Sequence, residues 1–308
     1  MEQVQERVKM KIPAEAVDLY TQFIHGDISR RAFVRGVERF AVAGLTAAAI
    51  VEALMPNYAL GQQVRKDDER ILASYETIPS PNGNGYIRGY FARPFSQASR
   101  SEAPARLPAV LVIHENRGLN PHTEDVARRF ALQNFIAFAP DALTAVGGYP
   151  GDDYKGGQLF GKIDRPKLTQ DFVNCAQWLK TNALSNGRVC VTGFCFGGGQ
   201  SNVLATMLGP DLAAAAPFYG GNPPVADVAK IKAAILIHHG GLDKQLVDAY
   251  PAFEAELKKN NIPHEGHIWP NSVHGFFNDA TPERYNETTG PQAWARTIQW
   301  FNQYSRTS

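Results

Sequence analysis

The chain has 308 residues, 44% of them hydrophobic and 20% charged, which is enough apolar material for a large buried core. Its 31 basic and 30 acidic residues leave a formal net charge of +1, so nothing electrostatic points to a nucleic acid or an anionic membrane as partner. Cys175, Cys190 and Cys195 are its three cysteines; an odd count is no disulfide framework, no CxxC or His/Cys cluster offers a metal site, and no cofactor is expected.

Residues 1–61 read as a leader distinct from 62–308. Ala14 to His25 has Ala16, Leu19, Tyr20 and Phe23 at helical spacing. Ser29-Arg30-Arg31-Ala32-Phe33-Val34-Arg35 follows, then an apolar run of 12 residues from Phe40 to Val51, then Pro56 and Ala59-Leu60-Gly61. This looks like a twin-arginine export signal with a cleavage point after Gly61, which implies a periplasmic location. The apolar run is too short for stable membrane insertion. The alternative is a helical arm that packs on the rest of the chain or supports a homo-oligomer in the cytoplasm. An uncleaved leader reconciles the two.

From Gln62 onward, strand and helix patterns alternate. Ala73–Pro79 and Tyr86–Ala92 flank Asn82-Gly83-Asn84-Gly85 and predict an antiparallel hairpin. A Pro/Ser/Arg-rich loop covers Pro94–Pro108. Ala109-Val110-Leu111-Val112-Ile113-His114 reads as a strand buried on both faces. A helix is expected over Thr123–Gln133, a strand over Phe135–Ala139, a Gly-rich loop over Asp141–Arg165 and a helix over Pro166–Thr181, with proline near its start. Further strands fit Arg188–Phe194, Ala213–Tyr219, Ala233–His239 and Glu265–Trp269, and helices fit Val247–Asn260 and Gln292–Tyr304. The alternation predicts an α/β fold with a mostly parallel sheet covered by helices on both faces.

Gly193-Phe194-Cys195-Phe196-Gly197-Gly198-Gly199 stands between a predicted strand and an apolar helix pattern that runs through Met207. This is a G-x-nucleophile-x-G elbow with cysteine in the nucleophile position, as in an α/β-hydrolase. The turn is tight enough to need glycine on both sides, and it sets the sulfur at a helix N-terminus, where the dipole favours thiolate. A phosphate loop would want Lys-Ser/Thr after the glycines, and Gln200-Ser201 stands there instead. Asp243 follows one predicted strand and His274 another, so acid and histidine come after the nucleophile in hydrolase order. His114, His238 and His239 compete for the role of base but read as core or edge residues. Cys175 and Cys190 read as buried small hydrophobes.

Together with His114-Glu115-Asn116-Arg117-Gly118-Leu119-Asn120 and His274-Gly275-Phe276, these residues resemble the dienelactone hydrolase family over roughly Tyr75 to Phe301. The resemblance implies an α/β-hydrolase fold and the hydrolysis of a small ester or lactone through a Cys195-His274-Asp243 triad and an acyl-enzyme. It also implies that Glu115 bonds the resting thiol, and that the backbone N–H groups of Asn116 and Phe196 form an oxyanion hole. Family members that act on dienelactone hold its carboxylate with two arginines. Here one position falls at or near Ala145 and the other at Asn278, so dienelactone is expected to be a poor substrate. Arg117, Tyr219 and Asn278 are the candidate substrate-binding residues, with Arg117 either a substitute cation or a surface arginine. The alternatives to a hydrolase are a non-catalytic or oligomeric scaffold on the same fold, or a redox-active cysteine protein that lacks an obvious resolving partner.

Overall fold

The computed structural model describes residues 12–25, 27–41, 46–95 and 106–306. The strands are β1 (Ile71–Ser80), β2 (Gly85–Pro94), β3 (Leu107–Ile113), β4 (Ile136–Pro140), β5 (Ser185–Phe194), β6 (Leu212–Phe218), β7 (Ala234–Gly240) and β8 (His264–Trp269). They form one sheet in the order β1-β2-β4-β3-β5-β6-β7-β8. β1 and β2 are the expected antiparallel hairpin, and β2 also runs antiparallel to β4. Every neighbour pair from β4 to β8 is parallel. The continuous apolar runs of β3, β4 and β7 reflect this, because strands of a covered parallel sheet are buried on both faces.

The helices are α1 (Ala14–His25), α2 (Arg30–Glu38), α3 (Ala47–Leu54), α4 (Tyr58–Gly61), α5 (Pro121–Leu132), α6 (Asp153–Phe160), α7 (Arg165–Thr181), α8 (Phe196–Leu208), α9 (Lys244–Lys259) and α10 (Thr289–Ser305). One face of the sheet packs against Phe172 of α7, Leu204 of α8 and Phe253 of α9. The other packs against Val126 and Phe130 of α5 and Trp300 and Phe301 of α10. Chain reversals between parallel strands place the loops after β3, β5, β7 and β8 at the same edge of the sheet, where an open α/β sheet offers its crevice.

The expected loop Asp141–Arg165 contains a helix, α6. Asp152 caps it by accepting the Lys155 N–H at 2.8 Å. Gly156 and Gly157 masked the helix in the sequence, and a close approach explains them. A Cβ on Gly156 would stand 2.2 Å from the Arg117 carbonyl oxygen, so glycine lets α6 lie directly on the loop after β3.

The first helices form a small core of their own from Ala16, Val17, Tyr20, Ile24, Phe33, Val37, Ile50 and Leu54, with Val273 packed against it. Residues 42–45 of the expected apolar run Phe40–Val51 lie outside the described residues. Its last part, from Ala47, enters α3, whose N-terminus is capped by Thr46, accepting from Ala49 N at 3.1 Å. The expected break after Gly61 runs through a packed contact. Gly61 is buried, a Cβ there would meet Ala280 N at 2.4 Å, and its carbonyl accepts from Arg129 at 3.1 Å. Among the described residues, no helix is long and apolar enough to cross a membrane.

Candidate active site

Cys195 occupies a backbone conformation with φ +54° and ψ −111°, which costs an L-residue energy and persists only where its surroundings enforce it. The glycines enforce it. A Cβ on Gly193 would stand 2.2 Å from Gly197 O, and one on Gly197 would stand 2.2 Å from Ile113 O. Any side chain at either position would push α8 away from β3 and β5. Cys195 N donates to Phe218 O at 3.1 Å, fixing the turn to β6. The side chain is half-buried at the first turn of α8.

His274 reaches the same point from the loop after β8. Its Nδ1 lies 2.6 Å from Asp243 Oδ2, and it also hydrogen-bonds the Cys195 side chain. Asp243 begins α9, directly after β7. Burial opposes a charged His274, but the Cys195 sulfur and the Asp243 carboxylate outweigh it and push the imidazole up to about 10. Burial raises Asp243, yet His274 wins there too and holds its carboxyl below the usual range. The arrangement keeps a proton between sulfur and imidazole, with a carboxylate to orient the ring. Gly275, at φ +84°, turns the chain after His274. Phe277 then anchors the loop by stacking on Phe194 at 5.3 Å between centroids.

The other histidines are committed elsewhere. His114 Nδ1 bonds Glu115 O and its Nε2 accepts the Ala142 N–H at 3.0 Å, so it is neutral, and burial lowers its pKa. His238 accepts from Trp269 at 3.1 Å and pairs with Thr297, and burial holds it well below the usual histidine range. His239 is pushed down to about 4, chiefly by burial. Cys175 and Cys190 are buried, and burial raises both thiols, Cys190 to about 12.

Gly197 lies against the carbonyls of Ile113 and His114, which sets the start of α8 on the rim at the end of β3. The Asn116 side chain donates to Ile24 O at 2.6 Å, tying α1 to that rim. Phe196 is the first residue of α8, so its backbone N–H belongs to the helix's first turn. Glu115 is 9% exposed and its Oε1 has no hydrogen-bond partner.

A cleft of about 420 Å³ is lined by Cys195, Phe196, Gln200, Tyr219, Asp243 and His274, a size for a small ligand. Tyr219 has φ +39°, and its ring lies 5.0 Å from that of His274. Two of the expected substrate-binding residues lie elsewhere. Asn278 is buried, and its Oδ1 accepts Ala280 N at 3.1 Å within the loop. Arg117 is no surface arginine; it is buried under α1 and α6, with Nη1 3.3 Å from Asp153 O and its guanidinium 5.9 Å from the Phe23 ring centroid. The buried cation beside His274 is Arg284, whose guanidinium lies against Gly275 and over the Tyr20 ring. A lone arginine in Thr281-Pro282-Glu283-Arg284-Tyr285 carries no local signal of this.

A sequence model described as "Dienelactone hydrolase family" matches residues 89–305. A "Putative carboxymethylenebutenolidase" of Escherichia coli is 30% identical over 257 residues, covering 78% of this chain and 90% of that protein. A "Putative hydrolase fragment" of Escherichia coli is 52% identical over 120 residues, 39% of this chain and 97% of the fragment. Among solved structures, a "Putative Dienelactone Hydrolase" from Klebsiella pneumoniae has 27% identity and a TM-score of 0.65, over 76% of this chain and 99% of that one. An esterase of Pyrobaculum calidifontis shares the fold at 16% identity and a TM-score of 0.62, over 94% of this chain and 97% of that one.

Proposed function

The chain belongs to the dienelactone hydrolase family and is a hydrolase, and on that premise we propose that it cleaves a small ester or lactone through Cys195, His274 and Asp243. The observation that carries this reading is His274 bonded to Asp243 at 2.6 Å on one side and to the Cys195 sulfur on the other. The Cys195 thiolate attacks the carbonyl carbon, a C–S bond forms, and the carbonyl π pair moves to oxygen. The N–H groups of Asn116 and Phe196 receive that oxyanion, commonly the largest catalytic contribution. Collapse breaks the C–O bond, and the leaving alkoxide takes the proton from His274. Water then attacks the thioester as His274 removes its proton, and the thiolate leaves with the carboxylic acid formed. Glu115, with one oxygen unpaired beside this site, is the proposed partner of the resting thiol. Turnover of p-nitrophenyl acetate tests the reading: iodoacetamide abolishes it, and so does Cys195→Ala. Full activity in that variant refutes the role of Cys195.

The segment before Gln62 is proposed to remain on the enzyme. Val273, beside His274, packs on its core, and Asn116 bonds Ile24, which supports an arm that completes the rim of the cleft. Export through Arg30-Arg31 is compatible with this for an uncleaved leader. Cell fractionation of an Arg30→Lys/Arg31→Lys variant, with N-terminal sequencing of the native protein, tests both points. A mature chain that begins at Gln62 rules out the retained arm.

A further inference from the structure

The wall of the cleft next to Asp243 carries carboxamides rather than cations. Among the described residues that line the cleft there is no lysine or arginine, and Asp243 itself is bonded to His274 at 2.6 Å. Asn222 and Gln245 stand there instead, beside the apolar Val203 and Leu246. A carboxylate that entered would give up water and meet no side-chain cation but the imidazole already held by Asp243. A hydroxyl group needs only an acceptor, and a carboxamide oxygen supplies one.

Asn222 follows β6, and its Nδ2 donates to Ala249 O of α9 at 3.1 Å. A carbonyl only accepts, so this bond fixes the nitrogen end of the amide and makes Oδ1 the other end. Oδ1 is shielded from bulk water and has no donor among the described residues, a state that native structures rarely leave unanswered. The residue as a whole is half-buried and lines the cleft. Its loop is fixed to the nucleophile turn. Asn202 of α8 donates from Nδ2 to Gly221 O at 3.0 Å, and a Cβ on Gly220 would stand 2.1 Å from the Gly198 carbonyl carbon. Because α9 begins directly after Asp243, Gln245 and the tethered Asn222 belong to the Asp243–His274 side of the sulfur. On that side His274 protonates the departing alcohol.

We propose that the preferred substrate is an uncharged partial ester of a small polyol, and that a free hydroxyl of its alcohol part donates to Asn222 Oδ1. Asn222 is then a specificity-determining residue, with Gln245 at the rim beside it. Cys195 takes the acyl group, the ester C–O bond breaks, and the polyol leaves with the proton of His274 while its second hydroxyl is held by Asn222. The proposal rests on the Cys195 reading, and its test separates the two.

2-Hydroxyethyl, propyl and carboxymethyl butyrate share an acyl group and differ in the alcohol. All pass through the same butyryl-enzyme, so kcat/KM of the full chain, followed in a pH-stat and divided by each ester's own alkaline hydrolysis rate, reports how the alcohol is held. The wild type favours the hydroxyethyl over the propyl ester by about 3- to 10-fold, the scale of one neutral hydrogen bond, and turns over the anionic carboxymethyl ester least. Asn222→Leu, which keeps the shape and removes the acceptor, brings the hydroxyethyl-to-propyl ratio to about one. An unchanged ratio with both esters slowed alike shows that Asn222 only ties its loop to α9 and overturns the proposal. A wild type that treats the hydroxyethyl and propyl esters alike, or that favours the carboxymethyl ester, also overturns it. If Asn222→Leu does not fold, the wild-type order of the three esters decides. Turnover of p-nitrophenyl acetate but of none of the butyrates overturns the proposal and leaves the Cys195 reading standing; turnover of no ester at all removes the Cys195 reading itself.

Discussion

At the scale of single residues, the proposed reaction centre is defined by who holds the proton. With His274 pushed up to about 10 and Asp243 held below its usual range, the charged imidazole is favoured beside the sulfur. The Cys195 sulfur is the largest influence raising His274. Following the His274 ring by NMR titration therefore finds it protonated to about pH 10 in the wild type and titrating lower in Cys195→Ala. The stability linkage has a definite sign. A histidine raised above its unfolded value of about 6.5 contributes fully below that pH and loses the contribution as pH rises through about 10. Denaturant midpoints of the wild type, relative to His274→Gln, fall across that window; a constant difference contradicts the raised imidazole. In catalysis His274→Ala is expected to lose more rate than Asp243→Asn, because the first removes the proton carrier and the second its orientation. Measured kcat/KM for the two variants checks the order.

At the scale of elements, glycines set how closely helices approach the sheet edge. In α6, Gly156 lies on the Arg117 carbonyl. Gly156→Ala forces that contact apart and is expected to cost about 1–3 kcal/mol, the usual range for overpacking, read by chemical denaturation. Gly161, where an added Cβ would meet only Gln158 O at 3.5 Å, is the control and tolerates alanine. The expected loop over this stretch and the observed helix differ for one reason. Glycine pairs signal turns when read locally, whereas here they record a contact with a segment far away in the chain.

At the scale of the whole molecule, a buried charge network joins Gln63 and Val64 to the His274 loop. Asp125 accepts Gln63 N at 3.2 Å and Val64 N at 2.8 Å and pairs with Arg128 at 3.2 Å and Arg129 at 2.5 Å. Arg129 also pairs with Asp279 at 2.7 Å, beyond His274 in the same loop. Asp125→Ala leaves two buried guanidiniums short of a partner and is expected to cost about 3–5 kcal/mol. Thermal and urea unfolding measure it; a change within about 0.5 kcal/mol, as at an ordinary surface site, refutes the network. The arm belongs to this scale too. A chain that starts at Gln62 exposes the Val273 contact and loses the Ile24 bond to Asn116, so it is expected to self-associate and to lose ester hydrolysis. Light scattering and turnover of the shortened chain check this.

What the sequence determined by itself was whatever depends on neighbours along the chain. Continuous apolar runs set the parallel sheet, Asn82-Gly85 set the hairpin, and the glycines around Cys195 marked a turn that no other residue type accommodates. Asp243 and His274 were legible because each follows a strand, and parallel strands deliver such residues to one edge. Tertiary structure alone decided the rest. It buried Arg117 and gave Asn278 to a turn, while Arg284 moved to the side of His274. Gly61 was drawn into a contact with Ala280 that its small flanking residues do not announce. In each case the deciding term is the burial of a polar group or the approach of a backbone from distant sequence, and neither leaves a periodic mark in the chain that carries it.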